Sequence, residues 1–451
     1  MKREDFGKDF SWGVTLSAFQ NEGFANAEGK GPSIWDAFTA NPQGKIANND
    51  VVGNAAEFYL RYKDDIRLAA SLGFNSFRFS LAWTRIQPNG YGTVNSKGVD
   101  FYSKVIDECL KNGLEPWITI YHWDLPLALE AEGGWCNRDI VGRFADFTDI
   151  STRAFGDRAK RWIVMNEPMS FLGLGYFMGY HAPERTGIGS FLQASHHAVL
   201  SMAESGRVVK RNIPDSEVGP ALSCSYVAPS SPWILNIRAA KRVEAVLNRM
   251  YIEPLLGLGY PTGRVPALML INKYIKEGDE QRMAFDFDFI GLQYYFRVVA
   301  KFSMFNPGVF AKEVSPTARG AKLNAMNLEV YPRGMRKVLE LYSSYPQIKK
   351  LIVTESGVCY SDKQEEGRVK DKKRVKYHQK MLRNVKKAIK KGINVKGYFV
   401  WTLVDNFEWR EGYAPRFGLI YNDFKTQQRI VKQSGYWFKS FLKNQKRMSK
   451  K

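Results

Sequence analysis

Arg161-Trp162-Ile163-Val164-Met165-Asn166-Glu167-Pro168 is an apolar, β-branched run that ends abruptly in Asn-Glu-Pro. It reads as a strand that delivers a carboxylate to its end. Pro168 has no N–H to offer a ladder and biases Glu167 toward an extended backbone, so the strand is expected to stop with the carboxyl at the rim. Leu351-Ile352-Val353-Thr354-Glu355-Ser356-Gly357 repeats the design, a short apolar strand closed by Glu and then Gly. One such Glu is as readily an ordinary solvated residue at a strand terminus. Two suggest an acid/base pair, and their surroundings decide.

Working outward from these stretches, strand-like runs alternate with helical segments along the whole chain, the βαβα rhythm of a parallel sheet covered by helices. The runs lie near 10–15, 76–83, 116–123, 162–166, 218–226, 287–295, 351–354 and 395–404. About eight such units close a barrel. Several are apolar throughout, as a sheet buried on both faces requires. Helices are expected near 56–72, 96–112, 140–155 and 369–391, with Gly73, Gly113 and Gly392 where a helix hands over to the next strand. The Gly- and Pro-containing stretch 294–331 reads as a loop over the active face. No repeat, low-complexity linker or composition shift marks a second domain. The expectation is therefore α/β, a single (β/α)8 TIM barrel with elaborated βα loops over residues 1–451.

Composition is that of a globular chain, with 44% hydrophobic and 25% charged residues among 451, although 14% aromatic with 11 Trp is high. The net charge of +21 raises nucleic acid as a partner. Its distribution argues against a specific one, because the excess sits on helical lysines at 370–391 and in a basic tail at 443–451, without finger, RNP or zipper patterns. Cys109, Cys136, Cys224 and Cys359 lack the spacing of a zinc site or disulfide framework. The charged N-terminus has no apolar h-region and no run approaches a membrane span, so a cytoplasmic protein without membrane attachment is expected.

Chemistry in such barrels sits at the C-terminal strand ends. Those ends offer Gln20, Arg78, His122 with Trp123, Asn166 with Glu167, Tyr226, Tyr294 with Tyr295, Glu355, and Trp401 followed by Glu408 and Trp409. Two carboxylates among hydrogen-bonding and aromatic groups, without a phosphate-cradling loop or metal-ligand spacing, suit hydrolysis of a glycosidic bond without cofactor or metal. Arg78 and a Tyr hydroxyl would hold one Glu ionised, while apolar burial would keep the other protonated.

The motifs 17–23 (SAFQNEG), 31–36 (GPSIWD), 77–80 (FRFS) with Trp83, 121–126 (YHWDLP), 166–168 (NEP), 354–357 (TESG) and 405–409 (DNFEW) occur in the order of a known family. The chain resembles the family 1 glycoside hydrolases, retaining β-glucosidase-type barrels. That resemblance implies a small-molecule β-glycoside substrate, with Glu167 as acid/base and Glu355 as nucleophile. It implies Arg78 and Tyr295 beside the nucleophile and Asn166 on the sugar 2-hydroxyl. Gln20, His122, Glu408 and Trp409 would read other hydroxyls, with Trp123 in the same wall and Trp401 as stacking floor. Glucosides are expected, with tolerance of galactosides or fucosides. The alternatives are a catalytically silent sugar-binding relative, against which both glutamates stand, and a 6-phospho-β-glycosidase, against which Trp409 stands. Departures from the family pattern are Ser356 and Gln293, where Asn is usual beside the nucleophile, Leu328, where a Trp platform for a second sugar is usual, and the segment 49–56 before the first long helix.

Overall fold

The computed structural model describes residues 1–443; the expected basic tail from 444 onward lies outside them. Eight parallel strands form the ring: β1 (Ser11–Thr15), β2 (Ser76–Ser80), β3 (Glu115–Thr119), β4 (Arg161–Asn166), β5 (Glu217–Pro229), β6 (Ile290–Phe302), β8 (Leu351–Ser356) and β9 (Val395–Trp401). A short strand, β7 (Ala311–Glu313), pairs antiparallel with β6. Each ring strand pairs with its neighbours, and closure comes from β1 alongside β9 and β5 alongside β6. This is the (β/α)8 barrel expected from the sequence.

Eight principal helices cover it, one after each ring strand: α1 (Phe58–Ser71), α2 (Ser96–Lys111), α3 (Ile140–Phe155), α4 (Ile188–Asn212), α5 (Ile234–Glu244), α6 (Arg333–Tyr342), α7 (Lys372–Lys390) and α8 (Gln433–Lys443). On α7 the apolar stripe Tyr377, Met381, Leu382, Val385 and Ala388 is buried, leaving the lysines as a solvated face.

The lower barrel is plugged by Trp117, Ile163, Ala221, Phe289, Ile352 and Phe399. Gly13 lies under the Phe399 ring, where a Cβ would come within 2.0 Å of a ring carbon. Filling the lower half with large side chains pushes the usable cavity to the upper, C-terminal half.

Two expectations are corrected. Glu167 is left-handed, with φ 45° and ψ 63°, rather than extended. Pro168 opens a helix immediately after the strand, so the reversal of direction falls on one residue, for which the proline disfavours the right-handed helical basin. The stretch from 294 is also less irregular than expected. The run Arg297-Val298-Val299-Ala300 prolongs β6 to Phe302, and a turn containing Pro307 and Gly308 leads into β7.

Candidate active site

Arg78 organises the upper barrel. It is fully buried on β2, and its Nε donates to Thr119 Oγ1 (2.9 Å) on β3. Nη1 donates to the Thr354 carbonyl (3.0 Å) and to Glu355 Oε1 (2.6 Å) on β8. Nη2 donates to Asn166 Oδ1 (2.6 Å) on β4. A planar fork with five donors suits a group that must satisfy several acceptors at fixed angles.

Glu355 receives two further donors, Gln293 Nε2 on Oε1 (2.9 Å) and the Tyr295 hydroxyl on Oε2 (2.7 Å). Gln293 Nε2 also donates to Asn166 Oδ1 (2.7 Å). With two donors on its Oδ1, Asn166 turns its amide nitrogen to His122 Nε2 (3.1 Å). Nε2 is then the acceptor and the ring proton sits on Nδ1, which has no protein partner. Burial and the nearby Arg78 charge hold the His122 pKa well below its ordinary value, so the ring is neutral.

The two glutamates of the sequence motifs occupy contrasting surroundings. Burial, and then the Glu355 charge, push the Glu167 carboxyl up to about 8. Burial pushes Glu355 up as well, but the guanidinium and the Tyr295 and Gln293 donors oppose it. Of the pair, Glu355 therefore releases its proton first and Glu167 keeps its own. A third carboxyl, the half-buried Glu408, is pushed up to about 8 by loss of hydration and by Glu355. Gln20 Nε2 donates to Glu408 Oε2 (3.2 Å) and to the Phe407 carbonyl (2.9 Å), and Ser17 fixes the other end of the Gln20 amide (2.7 Å).

Aromatic rings complete the wall. Trp409 stacks on Phe19 (5.6 Å between centroids, 4° between planes) and on Trp123 (4.7 Å, 27°). Trp401 lies against His122 at 6.0 Å. The Trp123 indole donates to the Asn166 carbonyl (3.0 Å), which ties this wall to β4. Asp405, just ahead of the 406–409 segment, accepts from Lys432 Nζ (2.7 Å), Arg416 Nη1 (2.9 Å) and the Gly418 amide (2.8 Å). That buried ion cluster fixes where Glu408 and Trp409 emerge.

Arg78, Asn166, Glu355, Tyr295 and His122 thus form one bonded network, with Gln20 joined to Glu408 and with Trp123 and Trp409 stacked beside them. Tyr226 and Tyr294 do not join it: the first stacks on Tyr331 (6.0 Å), and the second donates to the Tyr331 carbonyl (2.8 Å). Ser356 does not touch the Glu355 carboxyl either, since its hydroxyl pairs with Tyr377 behind the strand (3.2 Å). Consecutive strand residues face opposite sides, so Glu355 points in and Ser356 out. Gln293, noted only as a departure, proves to be a direct partner of Glu355. Thr119, the hydroxyl closing the apolar run of β3, and Met326, packed against the Cys359, Trp401 and Phe417 cluster, were not anticipated.

All four cysteines are free, and among the described residues no group of three His, Cys, Asp or Glu side chains could hold a metal ion. No helix among them is long and apolar enough to cross a membrane.

The sequence matches the family profile described as "Glycosyl hydrolase family 1" over residues 2–447. The chain belongs to that family. Among its family 1 relatives, Beta-glucosidase A of Thermotoga maritima is 38% identical, over 98% of this chain and 99% of that one. Beta-glucosidase A of Acetivibrio thermocellus is 36% identical, over 98% and 99%. The solved family 1 b-glucosidase from Thermotoga maritima superposes with a TM-score of 0.93 at 37% identity, covering 97% of this chain and 98% of that one. The Thermotoga maritima beta-glucosidase in complex with deoxynojirimycin gives 0.92 with the same identity and coverage.

Proposed function

We propose that this family 1 chain is a retaining exo-β-glycosidase that removes terminal non-reducing β-D-glucosyl residues, with tolerance of β-galactosides or β-fucosides. The observation that carries the proposal is the unequal treatment of two buried carboxyls. Glu355 is clasped by Arg78, Gln293 and Tyr295, whereas Glu167 is raised to about 8. One is prepared as an anion and the other as an acid, the pairing that glycoside hydrolysis needs.

In the first step the Glu355 carboxylate attacks the anomeric carbon and forms an ester, while the bond to the aglycone oxygen breaks. Glu167 gives that oxygen its proton. With Glu355 now esterified and uncharged, the repulsion that helped raise Glu167 disappears, so the same carboxylate serves as a base. In the second step it takes a proton from water, the water oxygen bonds to the anomeric carbon, and the ester bond breaks to restore Glu355. Asn166 is assigned to the 2-hydroxyl, where hydrogen bonds strengthen in the transition state. Gln20, His122, Glu408 and Trp409 are assigned to the remaining hydroxyls. Trp401 is assigned to the apolar face of the ring, with Trp123 as the backing of Trp409.

Both carboxyls are present in their contrasting surroundings, which argues against a catalytically silent binding protein. Trp409, stacked between Phe19 and Trp123, puts an indole rather than a phosphate-binding cation in this wall, which argues against 6-phosphosugars. We read residues 1–451 as one catalytic unit. Four free cysteines support a reducing, cytoplasmic setting.

The test is reaction with an activated 2-deoxy-2-fluoro-β-glucoside, whose fluorine slows both steps while the good leaving group lets the first proceed. A mass gain of one fluoroglucosyl group on the peptide containing Glu355 is expected. An unlabelled protein that also fails to hydrolyse aryl β-glycosides would refute the reading.

A further inference from the structure

β5 and β6 do not stop at the catalytic level. They stay paired from Tyr226 opposite Arg297 to Pro229 opposite Ala300, and β6 then turns back through β7. At about 3.3 Å per residue, Phe302 stands roughly 20 Å along the strand beyond Tyr295. The result is a finger rising from the mouth of the barrel. Its root is firm: Val227, Val298 and Ala300 pack with Ala240 of α5, and Arg242 donates to the carbonyls of Val309 (2.5 Å) and Phe310 (2.9 Å).

The tip is apolar and uncovered. Phe305 is 91% exposed and Met304 71%. Trp233 and Ile234, at the start of α5, are 55% and 54% exposed, and the Trp233 ring meets Phe302 edge-on at 6.3 Å. The 266–273 turn lies against the hairpin through the Ala267 amide and the Gly308 carbonyl (3.4 Å), and it adds exposed Met269 and Leu270. Large apolar side chains crowded on one surface mark an interaction site, unlike singly scattered ones.

Charge identifies the partner. Segments 230–242, 266–273 and 300–313 contain Arg238, Lys241, Arg242, Lys273, Lys301 and Lys312 against the single carboxylate Glu313. Arg238, Lys241, Lys273, Lys301 and Lys312 are exposed, and no ion-pair partner for them occurs among the described residues. Ile234, Arg238 and Lys241 recur at helical spacing and so share one face of α5. Aromatic and aliphatic tips ringed by cations match an anionic lipid surface, whose acyl boundary takes the apolar groups while its headgroups pair with lysine and arginine.

We propose that this finger docks the enzyme on anionic membranes with the mouth of the barrel toward the lipid. On the glycosidase reading above, the β-glucosides met in that pose carry apolar, membrane-embedded aglycones.

The test is co-sedimentation of the full chain with vesicles of phosphatidylcholine alone and of equal phosphatidylcholine and phosphatidylglycerol, at near-physiological salt. Hydrolysis of a water-soluble aryl β-glucoside is measured on every variant as a control for folding and chemistry. Binding is expected on the anionic vesicles and not on the neutral ones. The double variant M304S/F305S should lower the partition coefficient about 100-fold, since each such side chain withdrawn from the lipid boundary accounts for about ten-fold. K301E/K312E should lower it as well, and both should leave the aryl glucoside rate unchanged. Retained binding in both variants would overturn the proposal by assigning the attraction to the general positive charge. So would absence of binding together with a dimer that M304S/F305S dissociates, because the occupant would then be a second copy of the chain. Docking by a protein that hydrolyses no glycoside would uphold the finger and refute the glycosidase reading instead.

Discussion

Replacing Gln293 by Leu isolates the least expected member of the network. The substitution keeps approximate shape and removes one amide that donates both to Glu355 Oε1 (2.9 Å) and to Asn166 Oδ1 (2.7 Å). All three side chains are buried, with Gln293 and Asn166 at 1% exposure and Glu355 at 4%, so water cannot readily replace the lost donor. A hydrogen bond to a charged group contributes about 1.5–3 kcal/mol. Losing a donor that favours the anion raises the Glu355 pKa in the free enzyme. In the proposed role Glu355 works as an anion, so activity is lost as pH falls through its pKa, and a higher pKa moves the acidic limb of kcat/KM to higher pH. The basic limb reports the Glu167 proton and should remain where it is. Asn166 keeps only Arg78 on its Oδ1, so the plateau should fall roughly ten-fold. Gln293→Asn retains an amide one methylene shorter and should fall between the two. The assay is kcat/KM for an aryl β-glucoside from about pH 4 to about pH 9, with a thermal melt of each variant. Unmoved limbs with a plateau within about two-fold of the parent would refute the assignment of Gln293 as a support of the Glu355 charge.

Three further outcomes are expected. The folded-state pKa of Glu167 is raised from 4.5 to about 8, so its buried carboxyl favours the folded state fully below the unfolded pKa, and that contribution is lost as pH rises through about 8. Glu167→Gln removes the titration, and its melting temperature relative to the parent should climb between pH 5 and pH 8. Lys432→Met breaks the fully buried pair with Asp405 (2.7 Å) and the mostly buried one with Asp362 (2.6 Å) and should destabilise by about 3–5 kcal/mol in denaturant titration, with a higher KM as the Glu408 segment loosens. Leu328→Trp adds an aromatic face to the turn in which Asn324 Oδ1 accepts from both the Met326 and the Leu328 amide (2.9 Å each), Met326 itself packing with Trp401. It should raise kcat/KM for cellobiose relative to an aryl glucoside by about two- to ten-fold, the equivalent of one ring-stacking contact.

The barrel was legible because its strands are short, apolar and β-branched and are punctuated by glycine at helix ends. Glu167 and Glu355 were legible because each closes such a run. What escaped was three-dimensional. Whether Ser356 or Gln293 touches the nucleophile depends on which way each side chain faces, and residues one apart on a strand face opposite sides. The left-handed turn at Glu167 is set by how soon the following helix must begin, a demand of packing that the dipeptide Glu-Pro does not reveal. The finger escapes the sequence because Asn306, Pro307 and Gly308 carry loop signals that mask the short β-branched run Val298-Val299 before them.

The Arg78 clasp reaches across the chain. It joins Arg78 and Asn166, which precede the midpoint, to Glu355, far beyond it, so neither half of the sequence contains a complete pair of working carboxyls. A chain cleaved between α4 and β5 would yield two inert fragments, and glycosidase turnover would return only when they met. The enzyme thereby carries its own indicator of ring closure: the chemistry switches on when the last seam of the barrel is sealed, and a split version would serve as a reporter of whatever brings its two pieces together.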